Sequence, residues 1–212
     1  VVTSNIFSNF EKPYQYTLDI FNRPKTMNPL INKFKEYGEI PIDIEQQLLI
    51  VTKRQTKQKG DFFIKQGQSI SSLFLIETGL VRSFFIKDDR EINSWFGFED
   101  SIMGAAMPLF YNEPSFENIQ FLENSTYYYI SSKDLNDLYK KSHEMSTIGR
   151  KIAEECCVIV AERAMSLQTE SAEQRYNSLK IYKPDAIQRI SLGHIASYLG
   201  VKAETLSRIR KK

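Results

Sequence analysis

Apolar positions along this chain follow two textures. From Lys59 to about Ser132, short runs rich in Phe, Ile, Val and Tyr occupy 61–65, 72–77, 80–87, 92–98, 118–122 and 126–131. Turn residues at Gly60, Gly67, Thr78–Gly79, Asp88–Asp89 and Glu123–Asn124 separate them. Short strands at that spacing predict an antiparallel barrel or jelly roll. On both sides the period lengthens to three and four. Residues 28–57 read as helix in pieces, with Leu30, Ile31 and Phe34, then Ile44, Leu48 and Leu49 after Pro41. Only Gly149 interrupts 134–168, where Met145, Ile148, Ile152, Cys156 and Ile159 step by three or four. That helix is longer than a small barrel needs, so Ile148, Ile152, Cys156 and Ile159 are the expected seam of a homodimer. The competing reading packs the same stripe on the barrel. A further helix opens at Ser171–Gln174, a capping-box pattern, and stops before Pro184.

The last stretch, His194 to Lys212, reads HIASYLGVKAETLSRIRKK. Ile195, Leu199, Leu206 and Ile209 fall on one face of two short helices. Ala196 is small where the helices would cross, and Gly200 stands where a sharp turn needs positive φ. This is a helix-turn-helix pattern, with the second helix free to enter a DNA major groove. Its outward residues are Lys202, Ala203, Glu204, Thr205, Ser207, Arg208 and Lys211, which can meet phosphates and base edges. The expected fold is therefore α+β. A jelly-roll sensor domain occupies 27–142, a dimerisation helix 143–168 and a helix-turn-helix domain without a clear wing 169–212. Residues 1–26 precede a natural-looking start at Met27 and are set apart as an extension.

Composition sharpens the picture in one place. The net charge of the 212 residues is only +2, but it is uneven. Residues 184–212 carry six Lys or Arg against Asp185 and Glu204, a net +4, which leaves −2 for the rest. A basic tip on a neutral body suits a polyanionic partner, double-stranded DNA. No uncharged run exceeds 12 residues, so no membrane partner is expected. The two cysteines, Cys156 and Cys157, are adjacent in a helical pattern, which argues against a disulfide or chelate and for a reducing cytoplasm. The two histidines, His143 and His194, fall outside the strand region, so a metal-dependent barrel enzyme lacks its ligands. No phosphate loop or nucleophile elbow is present either, and catalysis is not expected.

Ile195-Ala-Ser-Tyr-Leu-Gly-Val201 with Glu204-Thr-Leu-Ser-Arg-Ile209 resembles the DNA-binding segment of the Crp/Fnr family of bacterial transcription regulators. Lys59-Gly60-Asp61, Gly67 and Gly79-Leu-Val-Arg82 resemble the same family's barrel turns, and the likeness covers about 28–212. The resemblance implies a cyclic-nucleotide-binding-like jelly roll, a homodimer on inverted-repeat DNA, and RNA polymerase as a further partner. It also implies base reading by Glu204 and Arg208 and a phosphate contact by Thr205. Arg208 can pair bidentately with guanine, and Glu204 can accept from cytosine N4.

The sequence departs from the family at three points. Members that bind cyclic AMP carry a Gly-Glu pair and, about ten residues on, Arg-Ser or Arg-Thr. The corresponding stretch here runs from Gly104-Ala105-Ala106 to Ser115-Phe116-Glu117-Asn118. The glutamate is missing and an aromatic stands near the arginine position, with no Arg in 91–149 and no Lys in 91–132. A buried phosphate needs a cation or a dense donor set. Gly104, Ala105, Phe116, Glu117 and Asn118 are thus the candidate effector pocket, for a ligand other than cyclic AMP. Secondly, the absence of cysteine from 1–155 removes the ligands of an iron–sulfur cluster, so no cofactor is expected. Finally, Ala203 stands where the family often has Arg, and the chain stops just after the second helix. The competing function is a sensor or scaffold acting through protein contacts of its jelly roll and helical hairpin.

Overall fold

The computed structural model describes residues 27–211. The extension expected at 1–26 and the terminal Lys212 lie outside the described residues. Two helices open the chain, α1 (Pro29–Tyr37) and α2 (Ile42–Val51). The Asn28 side chain caps α1 by accepting from the Leu30 and Ile31 amides at 3.0 and 3.3 Å. Its own amide donates to Thr52 Oγ1 at 2.6 Å, which ties the start of α1 to the end of α2.

Eight strands follow: β1 (Lys53–Lys57), β2 (Phe62–Ile64), β3 (Ser72–Thr78), β4 (Val81–Lys87), β5 (Arg90–Gly97), β6 (Ile102–Met103), β7 (Asn118–Phe121) and β8 (Ser125–Ser131). They form two antiparallel four-stranded sheets, ordered β1-β8-β3-β6 and β2-β7-β4-β5, the expected jelly roll. Alternation along β3 shows how the layers stack. Phe74 and Ile76 point into the barrel with Phe63, Val81, Ile119 and Phe121. Leu73 and Leu75 point outward and are covered by Leu30, Phe34, Leu48, Leu135 and Leu138. A strand buried on both faces reads as a continuous apolar run.

One strand contradicts the helical reading of 28–57. Lys53–Lys57 is β1, paired with β8 from Lys53 opposite Tyr129 to Lys57 opposite Ser125. It is an edge strand and almost wholly exposed, so it carries no apolar alternation to betray it. The β3–β4 turn needs glycine: Gly79 has φ of 108°, and a Cβ there would run into Ser125.

The helical region after the barrel is split at Ser142 into α3 (Ser132–Lys141) and α4 (His143–Thr169). Ser142 caps α4 by accepting from the Met145 amide at 3.2 Å. The capping box at Ser171 and Gln174 forms and starts α5 (Ala172–Tyr182). The short α6 (Ala186–Arg189) leads to α7 (Leu192–Tyr198) and α8 (Ala203–Arg210).

Candidate nucleic-acid interface and sensor cassette

Ser191 caps α7, and α7 ends on Gly200 at φ of 71°, which turns the chain sharply into α8. Ile195, Ala196, Leu199 and Leu206 are all at most 2% exposed and lock the two helices together. Full burial of Leu206 alone contributes about 1.5–3 kcal/mol. With Leu206 inward, Lys202, Glu204, Arg208 and Lys211 are exposed, and Thr205 and Ser207 are half-buried. Ala203 is half-buried because it leans on the helical core. An open hollow of about 380 Å³, lined by Leu192, Ala203, Glu204, Ser207 and Arg208, runs beside this face.

The hairpin is seated on the barrel. Leu80, Phe96 and Phe98 share one apolar cluster with Tyr176, Ile190, Ile195, Leu199 and Leu206. Arg189 clips the seat at one end, donating to Glu99, Glu123 and the Gly79 carbonyl at 2.7–3.1 Å. The Arg189 guanidinium holds the Glu99 carboxyl down at about 2. At the other end, Arg82 of β4 donates to His194 Nδ1 at 3.1 Å, which leaves the imidazole proton on Nε2. Burial, then the Arg82 charge, hold the His194 pKa below its ordinary value. Arg163 of α4 stacks on the Tyr198 ring at 3.8 Å and donates to the Tyr198 carbonyl, so α4 also grips α7.

The cassette at 104–118 contains a π-helical turn, Met107–Tyr111. Alternation along β4 turns Ser83 toward this cassette and Arg82 away from it. The Glu117 carboxylate accepts from the Ser83 hydroxyl and from the Ala106 backbone amide. Burial pushes the Glu117 carboxyl above the ordinary glutamate range.

Residues 54–142 match the family described as the cyclic nucleotide-binding domain. The chain is 25% identical over 188 residues to an anaerobic regulatory protein of Aggregatibacter actinomycetemcomitans, covering 80% of this chain and 72% of that one. It is 26% identical over 180 residues to the fumarate and nitrate reduction regulatory protein of Vibrio cholerae, covering 79% and 71%. A solved Crp/Fnr family structure from Eubacterium rectale superimposes with a TM-score of 0.68 at 16% identity, covering 85% of this chain and 86% of that one. The chain is thus similar to Crp/Fnr family regulators in its central domain, in sequence and in fold.

The residues expected to line an effector pocket do not converge on one. Ala105 is 1% exposed in the barrel core. Asn118 is buried, accepting from the Gln66 amide at 3.0 Å, and holds a turn in place. Phe116 lies on the outside at 56% exposure. Gly104 is pressed against the Ser72 carbonyl, 3.2 Å from where a Cβ would stand. Within 104–118 the half-buried ionisable group is the Glu117 carboxylate, an anion bonded to the Ser83 hydroxyl and the Ala106 amide, and no Arg or Lys occurs there to meet a phosphate. Two adjacent thiols, both exposed on α4, likewise do not fit an iron–sulfur cluster, which takes four ligands.

The expected dimer seam on α4 needs correction. Ile148 is 1% exposed and belongs to the core beneath α1, and Ile152 is half-buried against the same core. Cys156 is exposed and Ile159 is half-buried. The stripe at spacing three and four therefore turns inward at its start. A different line, Ala153, Cys157, Val160, Ala164 and Leu167, is exposed along α4 at alternating spacings of four and three. Alternating four and three is the spacing of a coiled-coil heptad, and three of the five residues are small. Sequence reasoning passed over it because only Val160 and Leu167 of the five are bulky and apolar. The pairing of His194 with Arg82 spans 112 residues of chain, so no local pattern records it.

Proposed function

We propose that the protein is a sequence-specific DNA-binding transcription regulator that acts in the cytoplasm by binding rather than catalysis. In this reading it reads an inverted repeat as a homodimer, with RNA polymerase as a further partner. The observation that carries the reading is α8: Leu206 is fully buried while Glu204, Arg208 and Lys211 stand exposed beside half-buried Thr205 and Ser207. Those groups supply base-edge and phosphate contacts from one helical face. A docking hairpin for another protein has no comparable use for an exposed Arg208 beside the basic Arg210 and Lys211. The exposed line on α4 supports the two-fold partner that an inverted repeat requires. Selection from random duplex DNA is expected to return an inverted repeat with half-sites one helical turn apart, roughly 34 Å. Recovery of no shared sequence overturns the proposal.

The cassette is proposed to work without a cyclic nucleotide. Calorimetry with cyclic AMP and cyclic GMP at micromolar concentration is expected to show no saturable heat. A one-to-one micromolar isotherm with either nucleotide overturns this reading.

A further inference from the structure

Arg82 is a charged side chain only 5% exposed, on the barrel face that carries the hairpin. A buried cation persists only when its donors are met. Nε and Nη2 donate to Gln120 Oε1 at 3.0 and 2.7 Å, and Nη1 donates to Glu91 Oε2 at 2.5 Å. Phe84 lies under the guanidinium, 3.9 Å from ring centroid to Cζ. These partners stand on β7, β5 and β4, so the planar fork is fixed to one rigid sheet. The remaining strong contact of Nη1, to His194, leaves the barrel and reaches α7.

One turn further along α7, Ser197 Oγ accepts from the Asn93 amide and donates to the Glu91 carbonyl, both at 3.0 Å. Tyr198 packs on Phe96 with ring centroids 5.2 Å apart. One side of α7 is thus bound to the barrel through His194, Ser197 and Tyr198. Its other side, Ile195, Ala196 and Leu199, packs with Leu206 of α8.

We propose that Arg82 is a positioning residue for DNA reading: through His194 it holds α7 on the barrel, and so sets the angle of α8 and the separation of the two α8 helices in a dimer. This rests on the reading of α8 as the base-reading helix. The barrel then forms part of the DNA-reading unit rather than a detached sensor. Arg82 touches no DNA in this arrangement, and its effect falls on half-site spacing rather than on base preference.

The test compares wild type with Arg82→Met, His194→Leu and His194→Gln. Methionine keeps an apolar stem over Phe84 but donates nothing. Leucine at 194 removes the acceptor at a half-buried site, and glutamine restores an acceptor. Arg82→Met and His194→Leu are expected to speed amide exchange across 192–199 by about tenfold, with exchange in β3 and β8 unchanged. In binding-site selection both should keep the wild-type half-site sequence but broaden the accepted spacing between halves, with about tenfold weaker binding at the wild-type spacing. His194→Gln should match wild type in both measurements. If Arg82→Met fails to fold, His194→Leu decides alone. Wild-type exchange across α7 in His194→Leu overturns the clamp. Faster exchange with unchanged spacing preference overturns the positioning role. A wild-type protein that selects no sequence overturns the DNA-reading proposal itself, whatever the exchange data show of the clamp.

Discussion

Replacing Arg208 by alanine is expected to cost about 1–3 kcal/mol on the selected inverted repeat and to relax preference at one base pair in each half. Arg208 is exposed on α8, four residues after Glu204, so the two side chains lie one above the other on the outward face. A guanidinium there can span guanine O6 and N7, and alanine leaves those acceptors without a partner. Lys211→Ala gives the contrast. If Lys211 meets only phosphate, its loss weakens all sequences alike and lowers the salt slope by about one counterion per subunit. Binding-site selection with both variants beside wild type separates the roles. Unchanged base preferences in Arg208→Ala, with a general loss of affinity, would make Arg208 a backbone contact.

The second large effect concerns α4. Val160→Asp combined with Leu167→Asp should give a folded monomer that no longer binds the inverted repeat. Val160 is 57% exposed and Leu167 45% exposed within one subunit, so carboxylates there are harmless until a second helix covers them. Ile148→Asp should behave differently and unfold the protein, because Ile148 is 1% exposed in the core under α1. Light scattering and thermal melting distinguish the two outcomes. A dimeric mass for the double variant at ordinary thermal stability refutes the seam.

The helix-turn-helix was legible in the sequence because its determinants are local. Gly200, Ala196 and four apolar positions within fifteen residues, 195–209, leave few ways to bury that face. The capping box at Ser171 was legible for the same reason, since donor and acceptor are three residues apart. The jelly roll followed from turns such as Gly79 and from strands whose apolar side chains must be buried. Where an element is stabilised by neighbours distant in sequence, the pattern was silent. Lys53–Lys57 became a strand because the β8 edge supplies its hydrogen bonds, with no apolar face of its own.

The exposed line on α4 shows the same division. Periodicity finds every face of a helix that carries apolar residues, and α4 has more than one. Which face is already covered depends on α1, which lies more than a hundred residues earlier and packs over Ile148. Arg82 is the sharpest case. Its buried charge is held by Glu91, Asn93, Gln120 and His194, which the chain brings together from 9 to 112 residues away. The sequence by itself determined the helix that faces outward with Glu204 and Arg208, because amphipathic spacing is a property of a single segment. Only the tertiary structure decided what that helix is fastened to and which surface of α4 stays exposed, because burial depends on distant residues that no local period records.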